Sequence, residues 1–148
     1  MGKAIVIVII TFLFMEAFSW FIHKYLMHGV LWRVHKTHHE PGGKIFEKND
    51  LFSLFFGAVA VTLIFLGSET KDYKFWIGIG ISLYGFTYFM LHDLLIHRRI
   101  KIFKNIKIRY FNALIKAHRD HHKSKGIKSG GSYGLLLVPR KYFKKKIL

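Results

Sequence analysis

The sequence predicts an all-α integral membrane protein. Three runs are long and apolar enough to cross a bilayer, the basic charge sorts to one side of them, and the histidines gather beyond their ends. The chain of 148 residues is 51% hydrophobic and 17% aromatic, yet carries 24 Lys+Arg against 8 Asp+Glu, a formal net charge of +16. That apolar content excludes a disordered basic tail, and the length fits one domain over residues 1–148. Cysteine is absent, which removes disulfides, thiolate metal sites and Cys nucleophiles together. Any metal would be held by nitrogen or oxygen.

The first run spans residues 4–21 (AIVIVIITFLFMEAFSWF), the second 51–66 (LFSLFFGAVAVTLIFL) and the third 75–91 (FWIGIGISLYGFTYFML). Each falls a little short of the ~20 residues that cross a hydrocarbon core, but Trp20, Tyr73 and Trp76 can carry the ends into the interface. We expect about three transmembrane helices, with room for a fourth. A buried hairpin in a soluble domain would show a polar stripe at helical spacing, and none is present. A secretory signal peptide fits poorly, because Glu16 interrupts the first run and no small-x-small cleavage site precedes Trp20 and Phe21.

Charge fixes the expected orientation. With three crossings, the segment between the first two spans and everything after the third share one side. Residues 23–49 hold five Lys/Arg and residues 97–148 hold sixteen, so that side carries 21 of the 24; Lys3, Lys71 and Lys74 are the remainder. The positive-inside rule then puts the N-terminus outside, and both basic regions and the tail 92–148 in the cytoplasm, for a multi-pass protein of the cell (inner) membrane. Attraction to anionic headgroups accounts for the rest of the +16. No nucleic-acid motif accompanies the charge, so no nucleic-acid partner is expected.

Within the tail, Ile106, Tyr110, Phe111, Leu114, Ile115 and His118 recur at helical spacing with Lys107, Arg109, Lys116, Arg119 and Lys123 between them. This predicts an amphipathic helix from about Asn105 to Lys123, lying at the cytoplasmic interface with snorkelling basic residues. The stretch KSGGSYGLLLVP reads as a loop packed near the interface, and the basic end after it as a lipid-facing tail.

All ten histidines fall into four motifs: His23 and His28 (HKYLMH), His35, His38 and His39 (HKTHH), His92 and His97 (HDLLIH), and His118, His121 and His122 (HRDHH). HxxxxH followed by HxxHH thus appears twice, in the two segments that charge assigns to one side. In HxxHH the rings at i, i+3 and i+4 share a helix face. In HxxxxH a regular α-helix leaves the two rings about 140° apart. Either the helix is distorted there, for instance by a π-bulge, or the rings serve different ions or opposite sides of a bundle. Ten nitrogen donors exceed what one four- to six-coordinate ion uses, so a histidine-rich di-metal site on the cytoplasmic side is the economical reading. Imidazole suits zinc, copper, iron and nickel; an oxygen-free set for two ions at a membrane surface points to non-haem iron used with dioxygen. Bis-His haem would need opposed pairs on facing spans.

Carboxylates near these rings could accept the free ring N–H and fix the tautomer: Glu40 after His39, Asp93 after His92 and Asp120 between His118 and His121. Glu16 lies inside a span, where an ionisable group is expensive and usually functional. It sits two turns before His23 on the same helix face, placed to hydrogen-bond toward the site or to stay protonated. Asn49 and Asp50 open the second span as candidate caps.

FIHKYLMHG, HKTHHEP followed by ND, HDLLIHRR, and AHRDHH followed by GSYGLLLVP closely resemble the bacterial β-carotene 3-hydroxylases of the fatty acid hydroxylase superfamily. The resemblance covers nearly the whole chain in motif order and spacing. It implies a membrane non-haem di-iron monooxygenase whose ten histidines are the metal ligands. Such an enzyme uses dioxygen to hydroxylate both β-ionone rings of β-carotene, through β-cryptoxanthin, to zeaxanthin. Electrons would come from reduced ferredoxin, supplied by NAD(P)H through a reductase. The apolar faces of the spans, with Phe86, Tyr88 and Phe89, would border the substrate channel. Two other readings compete: a related di-iron hydroxylase or desaturase acting on fatty acyl or sterol lipids, and a membrane metal-binding or transport protein. Transport would need polar groups along the spans, and Glu16 is the only ionisable residue inside any of them.

Overall fold

The computed structural model describes residues 1–40, 46–103, 106–123 and 132–144. It is all-helical, with no strand among those residues. Three helices are long and apolar enough to cross a membrane: Gly2–Val30, Asp50–Gly67 and Tyr73–Ile96. The first comprises α1 (Gly2–Phe21) and a π-helical continuation (Ile22–Val30), followed by α2 (Trp32–His39); the second is α3 (Asp50–Gly67); the third comprises α4 (Tyr73–Tyr88) and its own π continuation (Phe89–Ile96). A shorter helix, α5 (Arg109–His122), and a 3-10 turn (Arg140–Phe143) complete the order.

The helices continue past the expected span ends at Phe21 and Leu91. Polar histidines end the apolar runs, but the backbone stays helical past them by changing its hydrogen-bond period, with a kink at Gly29 (φ −105°, ψ −117°) in the first. The amphipathic helix is also shorter than expected: Asn105 lies outside the described residues, Ile108 is extended, and helix begins at Arg109. Its buried face runs through Ala113, Leu114, Ala117, His118 and His121, while Lys116 and Arg119 are exposed. The end of the tail after Lys144 lies outside the described residues.

Helix α4 is central, packing against both α1 and α3, and glycines permit the close approach. A Cβ on Gly78 would sit 2.8 Å from the Ala60 carbonyl of α3, and one on Gly80 would sit 2.6 Å from Thr11 Cβ and 3.1 Å from the Val8 carbonyl of α1. Small residues at crossings are how apolar helices gain van der Waals contact where the hydrophobic effect no longer drives association. Gly80→Val should therefore cost about 1–3 kcal/mol as an overpacked crossing, read as a lower thermal midpoint in detergent. The outward faces keep large apolar side chains exposed, among them Ile10, Leu54, Phe65 and Phe86, an arrangement that suits lipid and not water.

Because α1 and α4 run one way and α3 the other, the ends of α1 and α4 meet the start of α3. The π continuations, α2, α5 and residues 46–50 collect at that end, and all ten histidines are among them.

Candidate metal centre

The two HxxxxH pairs meet because neither lies on a regular α-helix. Leu31 N–H donates to the Leu26 carbonyl and His97 N–H to the His92 carbonyl, both at 2.9 Å. This i→i+5 bonding returns residue i+5 to the face of residue i. Ring centroids are consequently 5.2 Å apart for His23 and His28 and 4.6 Å for His92 and His97. The HxxHH triplets need no such device, since α2 and α5 are ordinary α-helices there.

One nitrogen from each of His23, His28, His35, His39 and His121 falls within 4.8 Å of the others, and the same holds for His38, His92, His97 and His118. Metal–imidazole bonds of about 2 Å put ligand nitrogens within roughly 4 Å of one another, so each set has nearly the spread of one ion's ligands. Each HxxHH triplet is divided between the sets, which makes the two positions neighbours. His122 stands between them, stacked on His39 at 4.2 Å and with its ring 4.7 Å from His38 and 4.5 Å from His118.

Hydrogen bonds behind the rings decide which nitrogen faces inward. His23 Nδ1 donates to the Tyr133 carbonyl at 2.8 Å, and His35 Nδ1 to Asn49 Oδ1 at 2.7 Å. A neutral imidazole carries one N–H, so both Nε2 atoms present lone pairs. They face each other at 3.1 Å. Two acceptors turned on one another are repulsive unless a cation lies between them. In the other set, His38 Nδ1 donates to Glu47 Oε2 at 3.1 Å and His92 Nδ1 to Asp93 Oδ1 at 2.8 Å; His38 Nε2 is buried with no hydrogen-bond partner. The residues therefore fit a pair of metal ions, and an all-imidazole donor set suits first-row transition metals.

Burial keeps these imidazoles neutral, with neighbouring histidines adding to the effect. It lowers His122 to about 3 and His97 to about 2. His35 falls to about 3 for the same reason, against the raising effect of its Asn49 bond. Burial likewise depresses His38, His118 and His121. A ligand that is already neutral at physiological pH releases no proton when metal binds.

Of the carboxylates expected behind the rings, Asp93 meets His92. Glu40 is exposed at the end of α2, and Asp120 instead accepts from Tyr142 at 2.9 Å and Lys123 at 3.2 Å; neither is brought to a histidine ring. Glu16 is buried but does not touch a histidine: it accepts from Tyr84 O–H and from the backbone N–H groups of Leu136 and Leu137. Asn49 caps nothing with its side chain, being committed to His35. Sequence reasoning missed Glu47, the Tyr133 carbonyl and Arg99, whose guanidinium joins Glu47 (3.1 Å), Asp50 (2.9 Å) and Asp93 (3.7 Å). A signal existed for Glu47: in a chain with only eight carboxylates, one lying between two histidine-bearing segments invites a role.

Below the histidines, a cavity of about 440 Å³ runs between α1, α3 and α4. His23, His35, His92 and His118 line one end, and Phe56, Ala60 and Ile81 line its deeper walls. From Asn49 to Val61, both in its lining, α3 advances about 18 Å at 1.5 Å per residue. Tyr88 and Phe89 border it as expected, whereas Phe86 is exposed on the outer face.

Residues 8–139 match the family model described as fatty acid hydroxylase. The chain is 41% identical to the beta-carotene hydroxylase of Pantoea ananas over 133 residues, covering 90% of this chain and 76% of that protein. It is 40% identical to that of Paracoccus sp. (strain PC1), covering 90% and 83% respectively. The chloroplastic beta-carotene hydroxylase 1 of Capsicum annuum is 34% identical over 85% of this chain but 41% of its own length. No solved structure matches. With its histidine-lined helical bundle matched from the first membrane helix to Pro139, the chain belongs to the fatty acid hydroxylase family, among relatives that are bacterial beta-carotene hydroxylases.

Proposed function

We propose that the chain is a membrane non-haem di-iron monooxygenase that hydroxylates the β-ionone rings of β-carotene at the 3 and 3′ positions, giving zeaxanthin through β-cryptoxanthin. The observation that carries this reading is the apolar cavity that ends on both histidine sets. A long hydrocarbon dissolved in the bilayer can enter between the helices and present one ring to the nitrogens while its polyene stays among Phe56, Ala60 and Ile81. Relatives named beta-carotene hydroxylases support the choice of substrate.

His23, His28, His35, His39 and His121 would hold one iron, and His38, His92, His97 and His118 the other, with His122 between them. Two such ions, when bound, would supply the dioxygen-activating chemistry that an unactivated ring carbon demands. One oxygen atom enters the C–H bond and the other leaves as water, consuming two electrons and two protons. The electrons come from reduced ferredoxin, regenerated from NAD(P)H by a reductase. The chain's own residues position and shield. Asn49, Glu47, Asp93 and the Tyr133 carbonyl hold ring tautomers, and Leu114 and Ala117, which line the cavity at 2% and 0% exposure, close it against water from the α5 side. Following the charge, the N-terminus lies outside the inner membrane and the metal centre on its cytoplasmic face.

Expression in bacteria that accumulate β-carotene tests the reading. Zeaxanthin, with β-cryptoxanthin as its precursor, is expected in aerobic cells. Unchanged pigment from iron-loaded, membrane-inserted protein would overturn it. Altered fatty acyl or sterol oxidation in the same cells would favour the related lipid hydroxylase, and histidine-dependent metal flux would favour a transporter.

A further inference from the structure

Glu16 is the one carboxylate inside the first membrane helix, and its partners are not metal ligands. It is 7% exposed. Leu136 and Leu137 donate their backbone N–H groups to its Oε1 at 2.8 and 3.2 Å, and Tyr84 O–H donates to its Oε2 at 3.0 Å. Residues 132–138 are non-helical yet lie against membrane helix α1, where an unsatisfied backbone N–H is costly because no water replaces the partner. Glu16 supplies the acceptor for two of them.

The same segment reaches the metal centre. Tyr133, three residues before Leu136, accepts the Nδ1–H of His23 through its carbonyl at 2.8 Å. Glu16 and His23 are seven residues apart, on one face of one helix, so they hold the segment at two points. The fit between is tight: a Cβ on Gly134 would lie 2.9 Å from Glu16 Oε1, and Leu135 packs with Met15 and Tyr84 in the buried core. Tyr110 of α5 adds a third tether, its O–H donating to the Leu136 carbonyl at 2.6 Å. Tyr133, Gly134 and Leu135 also line the main cavity, while Gly134, Leu136 and Leu137 line a second cavity beside Leu13 and Trp20. The segment is a wall between them.

We infer that Glu16 is a positioning residue: it straps residues 132–137 against α1 so that the Tyr133 carbonyl fixes the ring of His23 and the substrate cavity keeps that wall. It acts by accepting hydrogen bonds and not by moving a proton. The inference rests on the di-iron reading for its metal readout, and on hydrogen exchange for one that needs no metal.

Glu16→Gln keeps an acceptor oxygen toward the strap and cannot shuttle protons as a carboxylate does; Glu16→Ala removes the strap's anchor. Hydrogen exchange of the peptide covering 132–139, in purified full-length protein, should stay slow in wild type and Glu16→Gln and become fast in Glu16→Ala. Iron should remain near two per chain in wild type and Glu16→Gln and fall toward one in Glu16→Ala, with turnover reduced about 10–100-fold, as for loss of a partner behind a ligand. Gly134→Ala, which crowds the strap without touching a ligand, should resemble Glu16→Ala in a milder form and guards against misfolding of the alanine variant. Slow exchange and full iron in Glu16→Ala would overturn the strap. Turnover lost in Glu16→Gln with strap and iron intact would replace it with proton transfer. Wild-type protein that binds no iron would sink the di-iron reading, and the exchange rates would still decide on the strap.

Discussion

His121→Ala and His38→Ala are each expected to abolish turnover while the protein still inserts, and each should remove one ion of the pair and leave the other. His121 is fully buried at 0% exposure, His38 is 3% exposed, and they belong to different nitrogen sets. Removing either takes away a buried inward-facing donor, so the loss should exceed the about 10–100-fold typical of partners that only support a ligand. Metal per chain, measured on protein recovered from the membrane fraction, is the deciding quantity. A value near one in both variants supports two separate positions, and full activity in either variant would contradict the ligand role of that histidine. Asn49→Leu provides the scale. It strips the acceptor behind His35 without removing a nitrogen, so it should weaken metal binding within that 10–100-fold range.

The divided HxxHH triplets tie the geometry of the two positions together. His35 and His39 face one set and His38 the other, on a helix of only eight residues. A shift of α2 that improves one position necessarily moves the other. This coupling was not legible in the sequence, although its ingredients were. The length of the apolar runs located all three long helices, and the charge distribution separated the histidine-bearing segments from the short loop near Lys71. The i+5 spacing signalled that something other than a regular helix was needed, and the backbone supplies π turns at both places. What the sequence could not express were contacts between distant segments: the Tyr133 carbonyl behind His23, 110 residues away, and Asn49 turned from a cap into a tether for His35. Of the carboxylates adjacent to histidines in sequence, Asp93 bonds its neighbour's ring. Glu40 and Asp120 neighbour histidines along the chain, but Glu40 is extended and exposed beyond α2, and Asp120 bonds Tyr142 and Lys123.

Arg99→Met is expected to have the second large effect, through stability first and metal second. The guanidinium is 12% exposed and bridges Glu47, Asp50 and Asp93, which are 9%, 22% and 13% exposed. It reaches them because Arg98 takes a left-handed backbone (φ 55°) that turns the chain back, letting Arg99 N–H bond the Asp93 carbonyl at 3.0 Å. For a non-glycine residue that conformation costs about 1–2 kcal/mol, which the bridge must offset. Methionine keeps much of the side-chain volume but leaves three carboxylates clustered without a cation. Removing one partner of a buried ion pair typically costs about 3–5 kcal/mol. Two of those carboxylates hold His38 and His92, so the ion of that set should be lost preferentially, while the His23 set, anchored by neutral acceptors, keeps its own. Arg99→Lys retains the charge but not the planar fork that spans several carboxylates at once, and should fall between wild type and methionine. Thermal inactivation of membrane preparations, read beside metal content, tests both parts. A methionine variant that is as stable as wild type, or that loses both ions equally, would show that Arg99 does not support the second set in particular. Paired with Glu16→Ala, which should loosen the opposite set, the two variants would give complementary half-loaded proteins.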